Sequence, residues 1–281
     1  MISKNQLKYI RQLEQKKYRR REGCFVAEGT KVVGDLLQRY RPEAVFATAD
    51  WQAPAGITPQ LVTDDELRRI SFLQHPQQVL ALFPLPPINY KLSTINSTLG
   101  SAEPSTVNCK PSTINYTLGS AASLREELST LNLKLTLALD GVQDPGNLGT
   151  IIRIADWFGI STIICSEDTV DAWNPKVVQA TMGSIARVNI IYINLPEFLD
   201  SLPADFPVYG TFLDGDNIYT QELTREGLII MGNEGNGISD AVRTKVNRRL
   251  LIPDFHQGET ADSLNVAIAT AITCSEFRRR Q

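Results

Sequence analysis

Apolar and polar residues alternate along the second half of the chain in a repeating strand-and-helix pattern. Six short apolar runs bounded by turn-forming residues predict strands: LKLTLALD, STIICS, ARVNIIYI, PVYGTFL, GLIIMG and RRLLIP. The stretches between them predict helices at 149–158, 174–184, 195–201, 239–246 and 263–278. Apolar strands that alternate with helices indicate an α/β fold with a mostly parallel sheet and helices on both faces.

The first 87 residues also alternate helix and strand patterns. One helix is predicted over residues 4–21, where Leu7, Ile10, Leu13 and Tyr18 recur close to one face. The strand pattern CFVAEG follows, and the helix pattern TKVVGDLLQRY leads on to the strand patterns AVFAT and VLALFPL. Residues 1–87 therefore predict a small α/β domain.

Residues 88–130 differ in kind from both flanking regions. STINSTLGSA at 93–102 recurs as STINYTLGSA at 112–121, and Ser, Thr and Asn are abundant. Two copies are too few for a repeat architecture, and the polar composition is typical of a flexible linker. A partner-binding segment is the alternative. The chain thus divides into a domain at 1–87, a linker at 88–130 and a second domain at 131–281.

Composition narrows the class of protein. Of the 281 residues 42% are hydrophobic and 21% are charged, which is typical of a packed globular protein. No apolar run approaches the roughly 18 residues of a membrane helix. The four cysteines are far apart, which favours a reduced, cytoplasmic setting without a zinc site. With only His75 and His256, a catalytic triad or a multi-histidine metal site is not expected.

Charge is distributed unevenly along the chain. The net charge is -3, yet residues 1–41 carry 11 basic and 4 acidic residues. A basic arm on an acidic body indicates a polyanionic partner such as nucleic acid. A solvated helix face is the alternative.

Three glycine-bearing loops follow predicted strands: DPGNLG at 144–149, GNEGNG at 232–237, and the long segment from Ile252 to Asn265. Open α/β sheets bind ligands at the carboxyl ends of their strands, so these loops are expected to converge on one site. A dinucleotide site is disfavoured because no Gly-x-Gly-x-x-Gly follows a strand, and no Walker A loop occurs. Pro145 and Gly146 are predicted to form a turn, in which Asn147 could adopt a left-handed conformation.

Taken together, these loops resemble a known family. DPGNLGTIIR, GNEGNGIS and IP…SLNVAIATAI are similar, in order and spacing, to the three motifs of the SpoU (TrmH-type) RNA ribose 2'-O-methyltransferases. The intervening PKVVQATMGSIARV agrees as well. The basic N-terminal region resembles the ribosomal-protein-like RNA-binding domain of that family. The resemblance covers the whole chain except the repeat linker.

The resemblance implies a fold, a cofactor and an assembly. The fold is a sheet with a deep trefoil knot in the C-terminal domain, and the assembly is a homodimer with the active site near the subunit interface. The cofactor is S-adenosylmethionine, with no metal. The residues implied in cofactor binding, largely through the backbone, are Leu213, Gly232, Asn233, Gly237, Ile252 and Leu264.

The resemblance also implies a set of catalytic residues. Arg153 would assist loss of the ribose 2'-proton, although an exposed helix arginine is the alternative. An arginine guanidinium stays protonated in proteins, so a phosphate clamp or stabilisation of the developing alkoxide fits better than a literal base. Asn147 would orient the ribose or Arg153, and Glu234 would hold Arg153 or Asn147. Ser263 and Asn265 would contact substrate or cofactor, and Ser263 is also a candidate N-cap.

One departure from the family pattern lies in the third loop. Where the family usually has Ile-Pro-Met, this chain has Asp254, and the loop is about three residues longer. Phe255, His256 and Gln257 therefore occupy an enlarged loop that either contacts the cofactor or turns outward.

The sequence thus predicts a methyltransferase acting on the ribose 2'-hydroxyl of structured RNA. Ribosomal RNA is the first choice of substrate because the N-terminal domain suits a structured target, and transfer RNA is the second. A non-catalytic RNA-binding or ribosome-assembly factor is an alternative of another class. A nucleotide-dependent oxidoreductase is a third reading.

Overall fold

Two β-sheets organise the part of the chain that the structure describes, one in each half. The computed structural model describes residues 1–86, 134–256 and 263–280. The predicted linker at 88–130 lies outside the described residues. Within these ranges no helix has both the length and the apolar character needed to cross a membrane.

The N-terminal domain is a four-stranded sheet with the order β1-β4-β2-β3. β4 lies antiparallel to β1 and β2, and β3 is parallel to β2. Its strands are β1 (Cys24–Glu28), β2 (Ala44–Ala47), β3 (Gln60–Leu61) and β4 (Val79–Pro84). Its helices are α1 (Lys4–Gln12), α2 (Lys16–Glu22), α3 (Thr30–Leu37) and α4 (Asp64–Ile70). The predicted small α/β domain is therefore present.

The single helix predicted over residues 4–21 is wrong, because the chain breaks between α1 and α2. The carbonyl oxygens of Leu13 and Glu14 accept hydrogen bonds from the Arg19 guanidinium, each at 2.7 Å. In a continuous helix those carbonyls would accept from backbone N–H groups four residues on. The apolar period continues across the break, so the periodicity alone could not reveal it.

The C-terminal domain is a six-stranded, fully parallel sheet with the order β10-β8-β9-β5-β6-β7. The strands are β5 (Thr136–Leu139), β6 (Thr162–Ser166), β7 (Asn189–Ile193), β8 (Val208–Asn217), β9 (Leu228–Met231) and β10 (Arg248–Leu251). The helices are α5 (Pro145–Trp157), α6 (Pro175–Ala180), α7 (Leu195–Ser201), α8 (Asp240–Arg243) and α9 (Val266–Arg279), with a 3-10 turn at Ser184–Ala186. The predicted parallel α/β sheet is confirmed.

β8 extends four residues beyond the predicted run PVYGTFL and pairs irregularly with β10. Gly210 lies opposite Arg249, whereas the next β10 residue, Leu250, lies opposite Asp216. Residues 211–215 therefore have no partner on β10 and form a long bulge between the two paired segments. A Cβ at Gly215 would lie 2.5 Å from the Leu250 carbonyl carbon, so only glycine fits where the bulge rejoins β10. The trefoil knot of the family stays a prediction.

Candidate active site

The first two glycine-bearing loops start side by side at the carboxyl edge of the six-stranded sheet. β5 and β9 are neighbouring strands, with Leu139 opposite Met231, and one loop follows each strand. The third segment leads into α9, which packs along α5. This edge is where open α/β sheets bind ligands. The three segments therefore meet at this edge of the sheet.

DPGNLG forms the start of α5 rather than a free loop. Asp144 is the N-cap, and its Oδ1 accepts a hydrogen bond from the Asn147 backbone N–H at 2.8 Å. Pro145 occupies the first helical position, where its missing N–H costs nothing. At Gly149 a Cβ would lie 2.4 Å from a side chain of α6, so glycine permits the two helices to pack. The predicted turn at Pro145 and Gly146, with a left-handed Asn147, is wrong.

Asn147 joins the three loops through its side-chain amide. Its Nδ2 donates to Oε1 of Glu234 in the second loop at 2.9 Å. Its Oδ1 accepts from Nδ2 of Asn265, at the start of α9, also at 2.9 Å. The NH2 group and the carbonyl oxygen of the Asn147 side chain are thus each held by a hydrogen bond. Of the two roles predicted for Glu234, the structure shows the contact with Asn147.

Glu234 also receives backbone N–H groups from the first loop. The amides of Gln143 and Asp144 donate to its carboxylate, each at 3.3 Å. Partial burial would raise the pKa of Glu234, but the hydrogen bonds from Asn147 and from backbone amides outweigh it and lower the pKa. The carboxylate is therefore ionised at neutral pH, and it places a negative charge at the junction of two loops.

Asn265 is the N-cap of α9, and Ser263 is not. The Oδ1 of Asn265 accepts from the backbone N–H groups of Ala267 and Ile268, at 3.0 and 3.3 Å. α9 begins at Val266, three residues later than predicted. Ser263 is exposed and lies two residues before the cap. The predicted capping role belongs to asparagine, whose other amide end binds Asn147.

The second loop is a tight backbone turn. Asn233 and Gly237 exchange two backbone hydrogen bonds, at 2.9 and 3.0 Å. The Oδ1 of Asn233 accepts from the N–H groups of Gly235 and Asn236 inside the turn. A Cβ at Gly232 would lie 2.3 Å from the Gly237 carbonyl carbon. Gly232 is therefore required by the close approach of the two backbone segments.

Several residues behind these loops hold them in place through hydrogen bonds, and the sequence did not predict this role. The buried carboxylate of Asp140 accepts the Ser239 N–H at 2.7 Å, which ties the end of the second loop to the start of the first. Gly141 donates its N–H to the Ser166 hydroxyl at 2.8 Å, and its carbonyl accepts from the Asn233 side chain at 2.7 Å. The position of Asp140 directly after β5 was the one available signal.

Leu213 lies in the β8 bulge and is 76% exposed. Its neighbour Asp214 accepts a hydrogen bond from Arg243 at 2.9 Å and forms a second ion pair with Arg249. These bonds, led by that from Arg249, lower the pKa of Asp214. Both guanidinium groups also lie over the Phe212 ring, 4.7 and 4.4 Å from its centroid. The clamp holds the bulge with Leu213 directed to solvent.

The other two predicted cofactor residues lie at the two ends of the third loop. Ile252 directly follows β10 and packs partly against the main core. Leu264 precedes Asn265 and is 51% exposed. Leu213 and Leu264 are thus exposed apolar side chains on different loops, whereas Ile252 is partly covered.

Arg153 lies on the outer face of α5. It is exposed, and within the described ranges it forms no hydrogen bond or ion pair. From Asn147 it is six residues along the helix, or about 9 Å of axial rise. Glu234 does not hold Arg153 here. The guanidinium is therefore available to a ligand or to a second protein chain.

The basic helix α2 of the N-terminal domain carries one buried arginine at the domain boundary and further cations that are exposed to solvent. Arg19 is 2% exposed and pairs with Asp171 of the C-terminal domain, so it does not belong to the predicted basic surface. Lys17 and Arg21 are exposed, and their charged groups lie 4.9 and 4.7 Å from the centroid of the Tyr18 ring. α2 thus presents an aromatic ring flanked by two cations, a combination suited to nucleic acid.

Comparison with known proteins identifies the class. Residues 134–275 match the SpoU rRNA Methylase family, and residues 4–81 match the MRM3-like substrate binding domain. The chain therefore belongs to the SpoU rRNA methylase family. The resemblance drawn from the three motifs is confirmed.

Individual relatives match along the whole chain. A 23S rRNA (guanosine(2553)-2'-O)-methyltransferase, RlmP, of Bacillus subtilis is 29% identical over 284 aligned residues, which cover 98% of this chain and 97% of that protein. A putative TrmH-family RNA methyltransferase from Porphyromonas gingivalis is 38% identical, with a TM-score of 0.76 and full coverage of both chains. An AdoMet-bound rRNA methyltransferase from Sinorhizobium meliloti is 28% identical, with a TM-score of 0.74, covering 100% and 97% of the two chains.

Proposed function

We propose that this protein transfers a methyl group from S-adenosylmethionine to a ribose 2'-hydroxyl of structured RNA, with ribosomal RNA as the substrate. The observation that carries the proposal is the chain of side-chain hydrogen bonds Glu234–Asn147–Asn265. It joins the three motif loops on one sheet edge in a protein of the SpoU rRNA methylase family. Loops fixed against each other in this way favour a preorganised catalytic site over a non-catalytic binding surface.

Residues of the β8 bulge and of the second and third loops fit S-adenosylmethionine. Leu213 and Leu264 expose apolar side chains that can cover an adenine ring, and Ile252 adds a partly buried one. The backbone of the turn from Gly232 to Gly237 offers polar groups at the same edge. Polar contacts combined with apolar cover are typical of cofactor sites. When bound, the cofactor supplies a sulfonium methyl group that a nucleophilic oxygen can displace.

The hydrogen-bonded chain orients the site. Glu234 is negatively charged and holds Asn147, and Asn265 holds the other end of the same amide. Because both ends are fixed before substrate binds, little reorganisation is needed to position a ribose beside Asn147. We assign Asn147 to substrate positioning and Glu234 and Asn265 to supporting it. Ser263, exposed beside them, is assigned to contact with substrate or cofactor.

Arg153 supplies the positive charge. Before the 2'-oxygen could act as a nucleophile, its proton would have to pass to the adjacent phosphate or another group of the substrate, and negative charge would develop on the oxygen. A guanidinium stabilises that charge electrostatically and can clamp the adjacent phosphate through two parallel hydrogen bonds. Its exposed position without a protein partner in the described ranges suits this role.

The assembly we propose is a homodimer through the C-terminal domain. The outer faces of α5 and α9 expose Trp157 and Ile268, at 85% and 53%. A second copy of this chain would cover these side chains and bring a partner surface close to Arg153. A cytoplasmic location fits the buried thiols of Cys24, Cys165 and Cys274, which are free among the described residues.

A methyl-transfer assay with the purified chain tests the proposal. Tritiated S-adenosylmethionine is incubated with bulk ribosomal or transfer RNA, using the wild type and Arg153→Ala. We expect incorporation into ribosomal RNA by the wild type and loss of at least about 100-fold in the variant, typical of removing a transition-state charge stabiliser. Incorporation into neither RNA would favour the non-catalytic binding factor, and preference for transfer RNA would change the substrate.

A further inference from the structure

The two domains share a hydrophobic core. Val178, Ile185 and Ala186 of the C-terminal domain are buried in one cluster with residues of β1, α3 and β4. The rings of Phe25 and Trp173 lie 4.6 Å apart between centroids, across the same boundary. Apolar contact therefore holds α3 and β1 against residues 173–186.

Arg187 joins the two domains through a forked ion pair. Its Nη1 donates to Oδ2 of Asp35, on α3 of the N-terminal domain, at 2.9 Å. Its Nε donates to both carboxylate oxygens of Asp156, on the last turn of α5, at 3.1 and 2.9 Å. One planar guanidinium thus bridges two carboxylates from different domains, a geometry that a lysine cannot reproduce.

The Asp35 carboxylate fits closely against the C-terminal domain. It is 8% exposed, and a Cβ at Gly183 would lie 2.3 Å from its Oδ2. Gly183 has a φ of 94°, so glycine is required there for both its backbone conformation and the space it leaves. Burial would raise the pKa of Asp35, but the bonds from Lys31 and Arg187 outweigh it and lower the pKa. Asp35 therefore remains a charged anchor.

A second ion pair crosses the boundary at α2. The buried Arg19 binds Asp171, and its Nη1 also binds two carbonyl oxygens of its own domain. Because Arg19 lies between Lys17 and Arg21 in the same helix, this pair fixes where the exposed cations of α2 stand relative to the C-terminal domain.

Both ion pairs attach to elements of the proposed site. Asp156 is three residues after Arg153 on α5, so Arg187 connects α3 to the helix that carries the proposed catalytic arginine. Arg19 connects α2, the helix with the basic outer face, to Asp171 of the C-terminal domain. The separation between that outer face and Arg153 is consequently set by two ion pairs and a shared core.

We propose that Arg187 is a positioning residue. The Asp35–Arg187–Asp156 fork and the Arg19–Asp171 pair form a lock that holds the N-terminal domain at a fixed distance from Arg153. The locked domain acts as a ruler, because this distance selects the nucleotide that is methylated. This role rests on the proposed RNA substrate. RNA held by the N-terminal domain presents one ribose at Arg153, because the two surfaces cannot move apart. Loosening the lock leaves the cofactor residues in place but lets neighbouring riboses reach the site.

The test uses the full chain with Asp35→Asn and Asp171→Asn, which weaken the lock at independent points, and Arg187→Lys as the conservative variant. Asp200→Asn is the matched control, because it removes an ion pair with Lys245 inside the C-terminal domain. X-ray scattering reports the separation of the domains, calorimetry reports S-adenosylmethionine affinity, and primer extension on ribosomal RNA maps each 2'-O-methyl. Thermal melting confirms that each variant is folded.

We expect both Asn variants to increase the radius of gyration while cofactor affinity stays within about twofold. Methylation at the principal nucleotide should fall about tenfold or more, since a small misplacement of reacting groups is costly, and adjacent nucleotides should gain methyl groups. Arg187→Lys should be intermediate and Asp200→Asn unchanged. Looser domains with unchanged position and rate of methylation would overturn the ruler. Unchanged scattering would overturn the lock. A wild type that locks but methylates no RNA would overturn the proposed function, and the ruler with it.

Discussion

The side-chain amide of Asn147 donates a hydrogen bond to the Glu234 carboxylate across 87 residues of sequence, at 2.9 Å. The bond connects the first turn of α5 to the tight turn after β9. Because Glu234 also accepts two backbone N–H groups from residues 143 and 144, the carboxylate binds the first loop at three points. Together with the bond from the Ser239 N–H to Asp140, this ionised side chain fixes the position of the second loop relative to the first.

Replacing Glu234 with glutamine should lower the rate of methyl transfer. The new amide would direct an NH2 group towards an N–H of Gln143 or Asp144, so one donor loses its acceptor, at a cost of about 1–3 kcal/mol. We expect a fall in kcat of about tenfold or more, measured with saturating cofactor and RNA.

Glu222→Gln is the control for that substitution. Glu222 is exposed and forms no hydrogen bond or ion pair among residues 1–86, 134–256 and 263–280, so its variant should keep the wild-type rate. Equal rates for Glu234→Gln and the wild type would show that the carboxylate does not organise the site.

Alanine should be tolerated at one glycine of the second loop and not at another. Gly232→Ala forces a Cβ to within 2.3 Å of the Gly237 backbone, so the turn must open. Overpacking of this kind costs about 1–3 kcal/mol, and we expect weaker binding of S-adenosylmethionine in calorimetry. Gly235→Ala has its nearest neighbour at 3.7 Å and should bind as the wild type does. Equal affinities for both variants would contradict the assignment of this turn to the cofactor.

The acid stability of the C-terminal helix should depend on Glu276. Hydrogen bonds from Arg279, and then from Arg280, lower the pKa of this carboxyl to about 2 despite its burial. A carboxyl with a lowered pKa stabilises the fold above its unfolded pKa of about 4.3, and this stabilisation is lost as the pH falls towards 2. Glu276→Gln should therefore lower Tm at pH 7 by a few degrees, and the difference should shrink at pH 3.

The exposed Glu167 provides the comparison, because Glu167→Gln should leave Tm unchanged at both pH values. A Tm difference for Glu276→Gln that stayed constant from pH 7 to pH 3 would argue against an ionised partner of the two arginines.

The proposed dimer predicts a change of mass on substitution of one α9 residue. Ile268 is 53% exposed on the outer face of α9, and Ile268→Glu would bury a charge between two copies. Light scattering should show the mass of two chains for the wild type and of one chain for the variant. Leu61→Glu, at a position 63% exposed in the N-terminal domain, should remain a dimer. A monomeric wild type would refute the assembly.

Strand periodicity and motif order predicted the parallel sheet and the family, because both depend on local sequence. The helix break after Leu13 was missed because it involves side-chain hydrogen bonds from Arg19 to the Leu13 and Glu14 carbonyls, which a periodic pattern does not contain. The helical start at Pro145 was missed because DPG is typical of turns, although Pro at the first position and Asp at the N-cap fit a helix equally well.

In the candidate site, too, some residues could be identified from the sequence and others could not. Asn147, Glu234 and Asn265 were identified by resemblance, and the structure joins them in one hydrogen-bonded chain. Asp140 and Ser166, which brace the loops from behind, were not identified, because their role arises from strands that become neighbours only in the fold. The capping of α9 by Asn265 rather than Ser263 likewise depended on where the helix starts.

The nucleoside product of the reaction tests the central proposal most directly. Ribosomal RNA methylated by the purified chain is digested to nucleosides, and mass spectrometry separates methylated ribose from methylated base. We expect one 2'-O-methylnucleoside whose added mass stays with the ribose fragment, and its absence after Arg153→Ala. Methyl groups found on a base, or no methylated nucleoside from any RNA, would contradict it.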